Sequence, residues 1–450
     1  MPPSTDIRIV ELTADTTESR FRTPLKFGGQ VVTFSYNLHV TATVETRDGR
    51  RGVGHGWMPQ GSVWGFPSRV VSAEQASAAG LELFRQATAA TAGFDGYAHP
   101  VEIAHQAEPV WLRLAAEVSA AQGLAEPMPK LFALVETSPI DAALHDAYGR
   151  ALGAHSWALY GPDYLGGDLS RYLDASFAGL TLDQFVSPAP KPALPLYHLV
   201  GALDPLTPGE VAQPIGDGLP EHLIDWIVAD DLTHLKIKLN GEDVAWDARR
   251  VAAVESAAGE AMGRLGRAEW VYSLDFNERC QSVDYILEFL ARLEELAPRA
   301  FSRVAYIEQP TARDLRAHPE NVMHRAAAIK PVVIDESLTD LETYYLAKEQ
   351  GYSGVALKTC KGHSQALLMA AAAQRDGLFL CVQDLTCPGA AFLHSAALAA
   401  HIPAVTAIEG NGRQYCPESN VEWSARYPTV FKPSAGLIAT GLMDGPGLGF

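Results

Sequence analysis

The stretch Val332-Val-Ile-Asp-Glu-Ser-Leu-Thr-Asp-Leu-Glu-Thr-Tyr-Tyr-Leu-Ala-Lys-Glu-Gln-Gly-Tyr-Ser-Gly-Val-Ala-Leu-Lys358 decides the fold. Val332–Asp335 is a short apolar run that ends in an acid. Leu341–Gln350 has helical patterning. Gly354–Lys358 is a second short apolar run, and it ends in a base. Strand, helix and strand in this order read as a parallel βα unit.

The unit repeats outward in both directions. The other short runs are Leu194–Val200, Leu235–Leu239, Trp270–Asp275, Ala305–Glu308, Phe379–Asp384 and Val405–Glu409. Helical patterns fall between them at Val244–Met262, Val283–Leu296, Ser364–Arg375 and Ala390–His401. Eight such strands in roughly 220 residues predict a (β/α)-barrel of the (β/α)7β type, close to the usual size of about 250 residues. An open doubly wound sheet is the competing arrangement. It is disfavoured because no GxGxxG or P-loop signature opens any helix.

The N-terminal part has a different texture. Val31–Thr46 alternates and is rich in β-branched and aromatic residues, followed by the turn Arg47-Asp-Gly-Arg50. Ala73–Thr91 reads as a helix with Ser72 at its N-cap. Ser138–Gly153 reads as another, with Ser138 at the N-cap, Pro139 at the first helical position and Gly153 as the stop. Residues 156–192 are rich in Gly, Pro and aromatics and read as a long connection. The expected division is an α+β capping domain over 1–165, completed by about 420–450, and a barrel over 166–419.

The 450 residues carry a formal charge of −18. That disfavours nucleic acid and anionic membranes as partners. No run of about 18 apolar residues suggests a membrane helix, and the N-terminus lacks a signal-peptide pattern. The five cysteines form no CxxC pair and read as reduced thiols of a cytoplasmic protein.

Barrel active sites sit at the C-terminal ends of the strands, so the ends of the runs are the test. They read Lys236-Ile-Lys238, Asp275-Phe-Asn277, Glu308-Gln-Pro310, Asp335-Glu336, Lys358, Gln383-Asp384 and Glu409-Gly410. One charged residue at a strand end is usually just solvated. Three carboxylates on successive strands, about 4.8 Å apart, repel unless a cation joins them. With no His or Cys among them, Asp275, Glu308 and Asp335 suit Mg²⁺, or Mn²⁺, rather than zinc. Lys236 and Lys238 point to the same side of their strand. Their ammonium groups are expected to lower each other's pKa, so that one serves as a base. Lys358 can face Lys238 across the metal. A small-molecule carboxylate held between them could lose its α-proton to one lysine, pass through an enediolate, and regain a proton from the other.

With these motifs the chain resembles the enolase superfamily, in particular its muconate-lactonizing-enzyme subgroup. Thr43–Gly54 resembles the family's capping-domain hairpin, and Asp146-Ala-Tyr-Gly149 its Asp-x-x-Gly helix. The resemblance implies Mg²⁺ on Asp275, Glu308 and Asp335, and an acid/base pair of Lys238 and Lys358 with Lys236 tuning Lys238. It also implies supporting roles for Asn277 and Glu336, placed behind the ligands. Arg22–Gly29, including Phe27, and Trp57–Trp64 fall where the family's specificity loops lie. The mandelate-racemase subgroup takes its second base from a seventh-strand His. Here that strand reads Phe379-Leu-Cys-Val-Gln-Asp384, without one. Strand eight reads Ile408-Glu-Gly-Asn411 and lacks the Asp-x-Asp of dipeptide epimerases. Asp384 and Glu409 add acid at the barrel mouth.

His363, His394 and His401 read as surface or packing residues, and Cys360 and Cys381 as buried thiols. Trp57, Trp64 and Phe66 read either as a substrate lid or as packing between the domains. The expected activity is racemisation or epimerisation, with cycloisomerisation or β-elimination on the same platform as the alternative. A non-catalytic metal or carboxylate binder is the reading from another class. A homo-oligomer is expected.

Overall fold

The computed structural model describes residues 3–27 and 30–450. Strands β1 (Ile7–Phe27), β2 (Gln30–Thr46) and β3 (Arg51–Pro59) form an antiparallel sheet in that order. The alternation expected for Val31–Thr46 is kept: Leu38, Val40, Ala42 and Val44 all point inward and are fully buried. Helices α1 (Ser62–Gly65), α2 (Ala73–Ala92), α3 (Pro100–Ala121) and α4 (Lys130–Leu152) complete the cap. Helix α2 starts as expected, with a capping box between Ser72 and Gln75.

Helix α4 starts eight residues before the expected Ser138. Its N-cap is Pro129, and Pro139 sits inside it. A proline there removes the N–H that would bond the carbonyl four residues back. The Ser138 hydroxyl donates to that carbonyl, Val135 O, at 2.9 Å, so the helix runs on. The Gly153 stop is as expected, in the left-handed conformation. Three glycines on one face of β3 let α4 lie almost against the strand. A Cβ on Gly54 would stand 2.0 Å from Ala147 N, and one on Gly56 2.0 Å from Pro139 O.

The barrel consists of eight parallel strands. They are β4 (Leu194–Val200), β5 (His234–Lys238), β6 (Val271–Asp275), β7 (Val304–Glu308), β8 (Val332–Ile334), β9 (Gly354–Leu357), β10 (Phe379–Val382) and β11 (Ile408–Glu409). Neighbours pair in sequence order and β11 returns to β4, which closes the ring. Six of the eight strands lie within the run that predicted them, and β5 and β7 begin one residue earlier, at His234 and Val304. A short β12 (Leu437–Ile438) pairs antiparallel to the outside of β4. Tyr197, Tyr306, Val333, Ala356, Cys381 and Ala407 fill the interior as one apolar cluster.

Residues 153–193 are a connection of short 3₁₀ turns. The last residues fold back on the cap: Leu448 N donates to Asp146 at 2.9 Å and Arg150 to Phe450 O at 2.7 Å. His363, His394 and His401 are buried packing residues. His363 bonds His394 at 2.8 Å and the Tyr160 hydroxyl at 2.7 Å, and His401 stacks on Trp157. All five cysteines are free and buried. Burial pushes the Cys360 thiol up to about 12. Among the described residues, no helix is long and apolar enough to cross a membrane.

Candidate active site

Strand register places the charged ends side by side. Lys238 on β5 is opposite Asp275 on β6, which is opposite Glu308 on β7. Asp335 follows β8 and Lys358 follows β9. Lys236, Lys238, Lys358, Asn277, Asp384 and Glu409 line one small chamber of about 10 Å³.

Lys236 is fully buried at the centre. Its Nζ lies 2.9 Å from Glu308 Oε1, 2.8 Å from Glu409 Oε2, 2.8 Å from Gln383 Oε1 and 3.1 Å from Asp275 Oδ2. Burial works to lower its pKa, but Glu308, Glu409 and Asp275 outweigh it and hold the ammonium well above its usual range. The expected mutual lowering between Lys236 and Lys238 is therefore not the dominant effect on Lys236. The surrounding acids are stronger than one neighbouring ammonium. Lys238 bonds Asp275, and Asn277 Oδ1 at 2.9 Å. Lys358 Nζ is 2.8 Å from Asp335 Oδ2 and 4.5 Å from the centre of the Trp64 ring.

A fourth lysine enters from a place the strand ends did not indicate. Lys361 Nζ lies 2.5 Å from Asp335 O and 3.1 Å from Asp335 Oδ1. It ends the 3₁₀ turn Thr359–Lys361, which carries it back over the strand end. Gln309, beside Glu308, acts on the same loop. Its Oε1 accepts from the backbone N–H of Asp335 at 2.9 Å and of Ser337 at 3.2 Å, which fixes the loop that carries the acid. Gln383 spans Lys236 and Glu308.

The described chain holds six non-glycine residues with positive φ, and four of them, Asn277, Glu278, Gln309 and Thr386, stand at this mouth. Such strain concentrates at functional sites.

Glu336 is fully buried. Its Oε1 accepts from Trp64 Nε1 at 2.9 Å and Asn277 Nδ2 at 3.3 Å, while Oε2 has no hydrogen-bond partner. Burial, then the charge of Asp335, pushes its carboxyl up to about 7. Burial, then Glu409, pushes Asp384 up to about 6. Burial, then Asp275, holds Glu308 well above the usual range. Asp335 goes the other way, to about 2: burial opposes this, but Lys358 and Lys361 prevail.

Among the described residues, no three His, Cys, Asp or Glu side chains stand together as they would to hold a metal ion. Lysine ammonium groups stand between the acids instead. The donor set nevertheless fits a hard divalent cation. Asp275, Glu308 and Asp335 offer only oxygens on neighbouring strands. Six acids (Asp275, Glu308, Asp335, Glu336, Asp384, Glu409) face four lysines, and burial together with this excess of acid is what raises Glu308, Glu336 and Asp384. To ligate a cation, Asp275 and Asp335 would release Lys238 and Lys358, a change within reach of a flexible four-carbon stem.

The family model described as enolase C-terminal domain-like matches residues 219–450. The chain belongs to the enolase superfamily. Within the superfamily it groups with the mandelate racemase and muconate lactonizing enzymes. No curated protein sequence matches it. Among solved structures, a mandelate racemase/muconate lactonizing protein from Herpetosiphon aurantiacus is 20% identical, covers 100% of this chain and 99% of its own, and has a TM-score of 0.60. A dipeptide epimerase from Enterococcus faecalis, complexed with Mg and L-Leu-L-Tyr, is 16% identical over 98% and 99%, with a TM-score of 0.61. A muconate lactonizing enzyme from Pseudomonas fluorescens, complexed with muconolactone, is 18% identical over 98% and 95%, with a TM-score of 0.59. At these identities the likeness is one of fold.

This enolase-superfamily chain departs from the expected placement at the cap. Trp57 is not brought to the chamber. It stacks on His39 at 4.7 Å and meets Trp423 edge-on at 5.5 Å. Trp64, seven residues later, closes the mouth instead, and Phe66 packs on Phe132. Residues 22–27 were expected to form a loop but extend β1. Arg22 there pairs with Asp217 at 2.5 Å. The side chain of Phe27, with Gly28 and Gly29, lies outside the described residues. Arg313, after β7, ties Glu278 to the backbone carbonyl of Trp64 at 3.0 Å and so holds the cap loop to the barrel.

Proposed function

We propose that the protein abstracts and returns the α-proton of a small carboxylate with divalent-metal assistance, acting as a racemase or epimerase. The observation that carries this reading is that Lys238 and Lys358 line the same chamber from opposite sides of the three-acid arc. A pure binder needs no paired bases. A base on each side serves inversion at carbon, whereas elimination or cycloisomerisation can run on one.

Asp275, Glu308 and Asp335 would hold the cation, and magnesium is the ion named with the Enterococcus epimerase. When bound, it supplies positive charge that favours the enediolate over the free carboxylate. The chain's own residues do the rest. Lys238 takes the α-proton on one face and Lys358 delivers one on the other, or the reverse. Lys236 keeps Glu308 and Glu409 in place. Asn277 orients Lys238. Trp64 and Leu385 close the chamber and exclude water.

The test is α-hydrogen exchange in D₂O with Mg²⁺ and a library of chiral carboxylates, read by mass or NMR. Inversion should be lost in both Lys238→Ala and Lys358→Ala. Each variant should keep exchange on only one enantiomer. Removing the acid/base group typically costs about 10²–10⁴-fold. Full inversion by Lys358→Ala would refute the two-base assignment.

A further inference from the structure

The helix His363–Arg375 packs on β9 and β10. Its N-cap is Gly362, which offers no side chain to the first N–H groups. The cap supplies one instead. Asp141 on α4, 2% exposed, accepts from the Ser364 backbone N–H at 2.7 Å and from the Ser364 hydroxyl at 2.8 Å. A carboxylate suits a helix start, where N–H groups lack partners and the dipole is positive. The approach is close. A Cβ on Gly362 would stand 3.3 Å from Asp141 Oδ2, and Gly362 has φ 106°. Asp141 also stands on a rigid base, between Pro139 and Ala143, where Gly56 of β3 meets the backbone of α4.

A chain of buried side chains makes a second anchor. The one hydroxyl proton of Ser364 goes to Asp141, so its oxygen accepts from His145 Nε2 at 2.9 Å. His145 Nδ1 then accepts from the Tyr160 hydroxyl at 3.0 Å, and the Tyr160 oxygen accepts from His363 Nε2 at 2.7 Å. His363 Nδ1 accepts from His394 Nε2 at 2.8 Å, and His394 Nδ1 ends the chain with no partner. Burial keeps these last two rings neutral, holding His363 well below its usual range and His394 down to about 3. The direction of every bond is thus set from Asp141, and the first two residues of the helix are both held.

The lysine turn leads straight into this helix. Lys361 N–H donates to Lys358 O at 3.2 Å, and Gly362 N–H to Thr359 O at 3.0 Å. We propose that Asp141 is a positioning residue of the active site: from the cap it fixes the first turn of the helix His363–Arg375, and through the turn before it fixes Lys358 and Lys361 against Asp335. Its effect on catalysis rests on the reading that Lys358 is one of two bases. Lys236 and Lys238 stand on β5, on the opposite side of the ring, and are not governed by it.

The experiment acetylates the full chain with acetic anhydride and reads each lysine by mass. An ammonium held by a carboxylate stays charged and reacts slowly. In Asp141→Ala, Lys358 and Lys361 should react at least ~10-fold faster than in the wild type, since each lost bond to a charged group loosens the turn by about that factor or more. Lys236 and Lys238 should be unchanged. Asp141→Asn keeps an acceptor for Ser364 N–H alone and should fall between. Circular dichroism confirms that each variant is folded. Unchanged labelling in both folded variants overturns the proposal, and so does an equal rise at all four lysines, which a merely structural role would give. On a carboxylate that exchanges, Asp141→Ala should slow the enantiomer deprotonated by Lys358 by up to ~10²-fold, the cost of a misplacement of about 1 Å, and spare the other. Equal slowing of both also overturns it. Selective labelling in a protein whose wild type exchanges no α-hydrogen would instead refute the proposed reaction and leave the positioning role intact.

Discussion

Lys361→Met removes one buried ammonium and keeps the length of its stem. In the wild type that ammonium holds both the backbone oxygen and one carboxylate oxygen of Asp335, at 2.5 and 3.1 Å, with 3% of the residue exposed. The substitution leaves a buried carbonyl without its donor and halves the cations on Asp335. Breaking a buried pair from one side costs about 3–5 kcal/mol. Unfolding entropy near 2.1 cal/mol/K per residue, over 450 residues, gives roughly 0.95 kcal/mol/K, so the midpoint should fall by ~3–5 °C. Lys348→Met is the control. It breaks a bridge to Asp376 with the lysine 35% exposed, worth at most ~1 kcal/mol and hence ~1 °C. Thermal melts followed by circular dichroism read both. Magnesium should raise the midpoint of Lys361→Met by more than that of the wild type, because the ion replaces lost positive charge beside Asp335. A Lys361→Met midpoint within ~1 °C of the wild type would show that Lys361 does not hold Asp335.

Gly54→Ala should destabilise the cap by about 1–3 kcal/mol or more, since the new methyl would meet the backbone of Ala147 at 2.0 Å; a denaturant midpoint equal to wild type refutes the close approach. Glu136 is fully buried, and burial, only partly opposed by the Gln60 amide, pushes its carboxyl up to about 8 from an ordinary 4.5. A raised carboxyl pKa gives a contribution that is full below pH 4.5 and lost as pH rises through 8. Glu136→Gln should therefore gain stability over wild type across that window, by up to ~5 kcal/mol, and parallel pH profiles of the melting midpoint would count against it. Chelation with EDTA should abolish α-hydrogen exchange and Mg²⁺ restore it; exchange that survives chelation removes the metal from the reaction.

The barrel and most of its charged rim were legible because the strands are short apolar runs and nearly all of them end in charged residues. A parallel strand can be read that way even when neighbours are far apart in sequence. Lys361 was not, because it lies four residues past its strand and only the 3₁₀ turn brings it back. Gln309 and Gln383 were visible at strand ends, but their work is to join charges across the barrel, and pairing across a ring is not written in local pattern. Trp57 and Trp64 look alike in sequence. The strand β3 runs through Pro59 and keeps Trp57 on the sheet, while the turn after it swings Trp64 over the mouth. Helix α4 was misread at its start because Ser138-Pro139 imitates a cap, and only the Ser138 bond to Val135 explains why the helix continues.

Strand β11 is only two residues long and meets β10 through a single register pair. The ring is thus thinnest there, and Lys236 bridges the seam by holding Gln383, just after β10, and Glu409 on β11 at once. The ammonium at the centre of the chemistry is also the rivet of the barrel's weakest seam. Glu409→Gln should loosen that seam first, visible as faster amide exchange in 379–382 and 408–409 than in β6 and β7. A lineage that rewrites the charge pattern at this mouth to reach a new substrate must also refasten the seam.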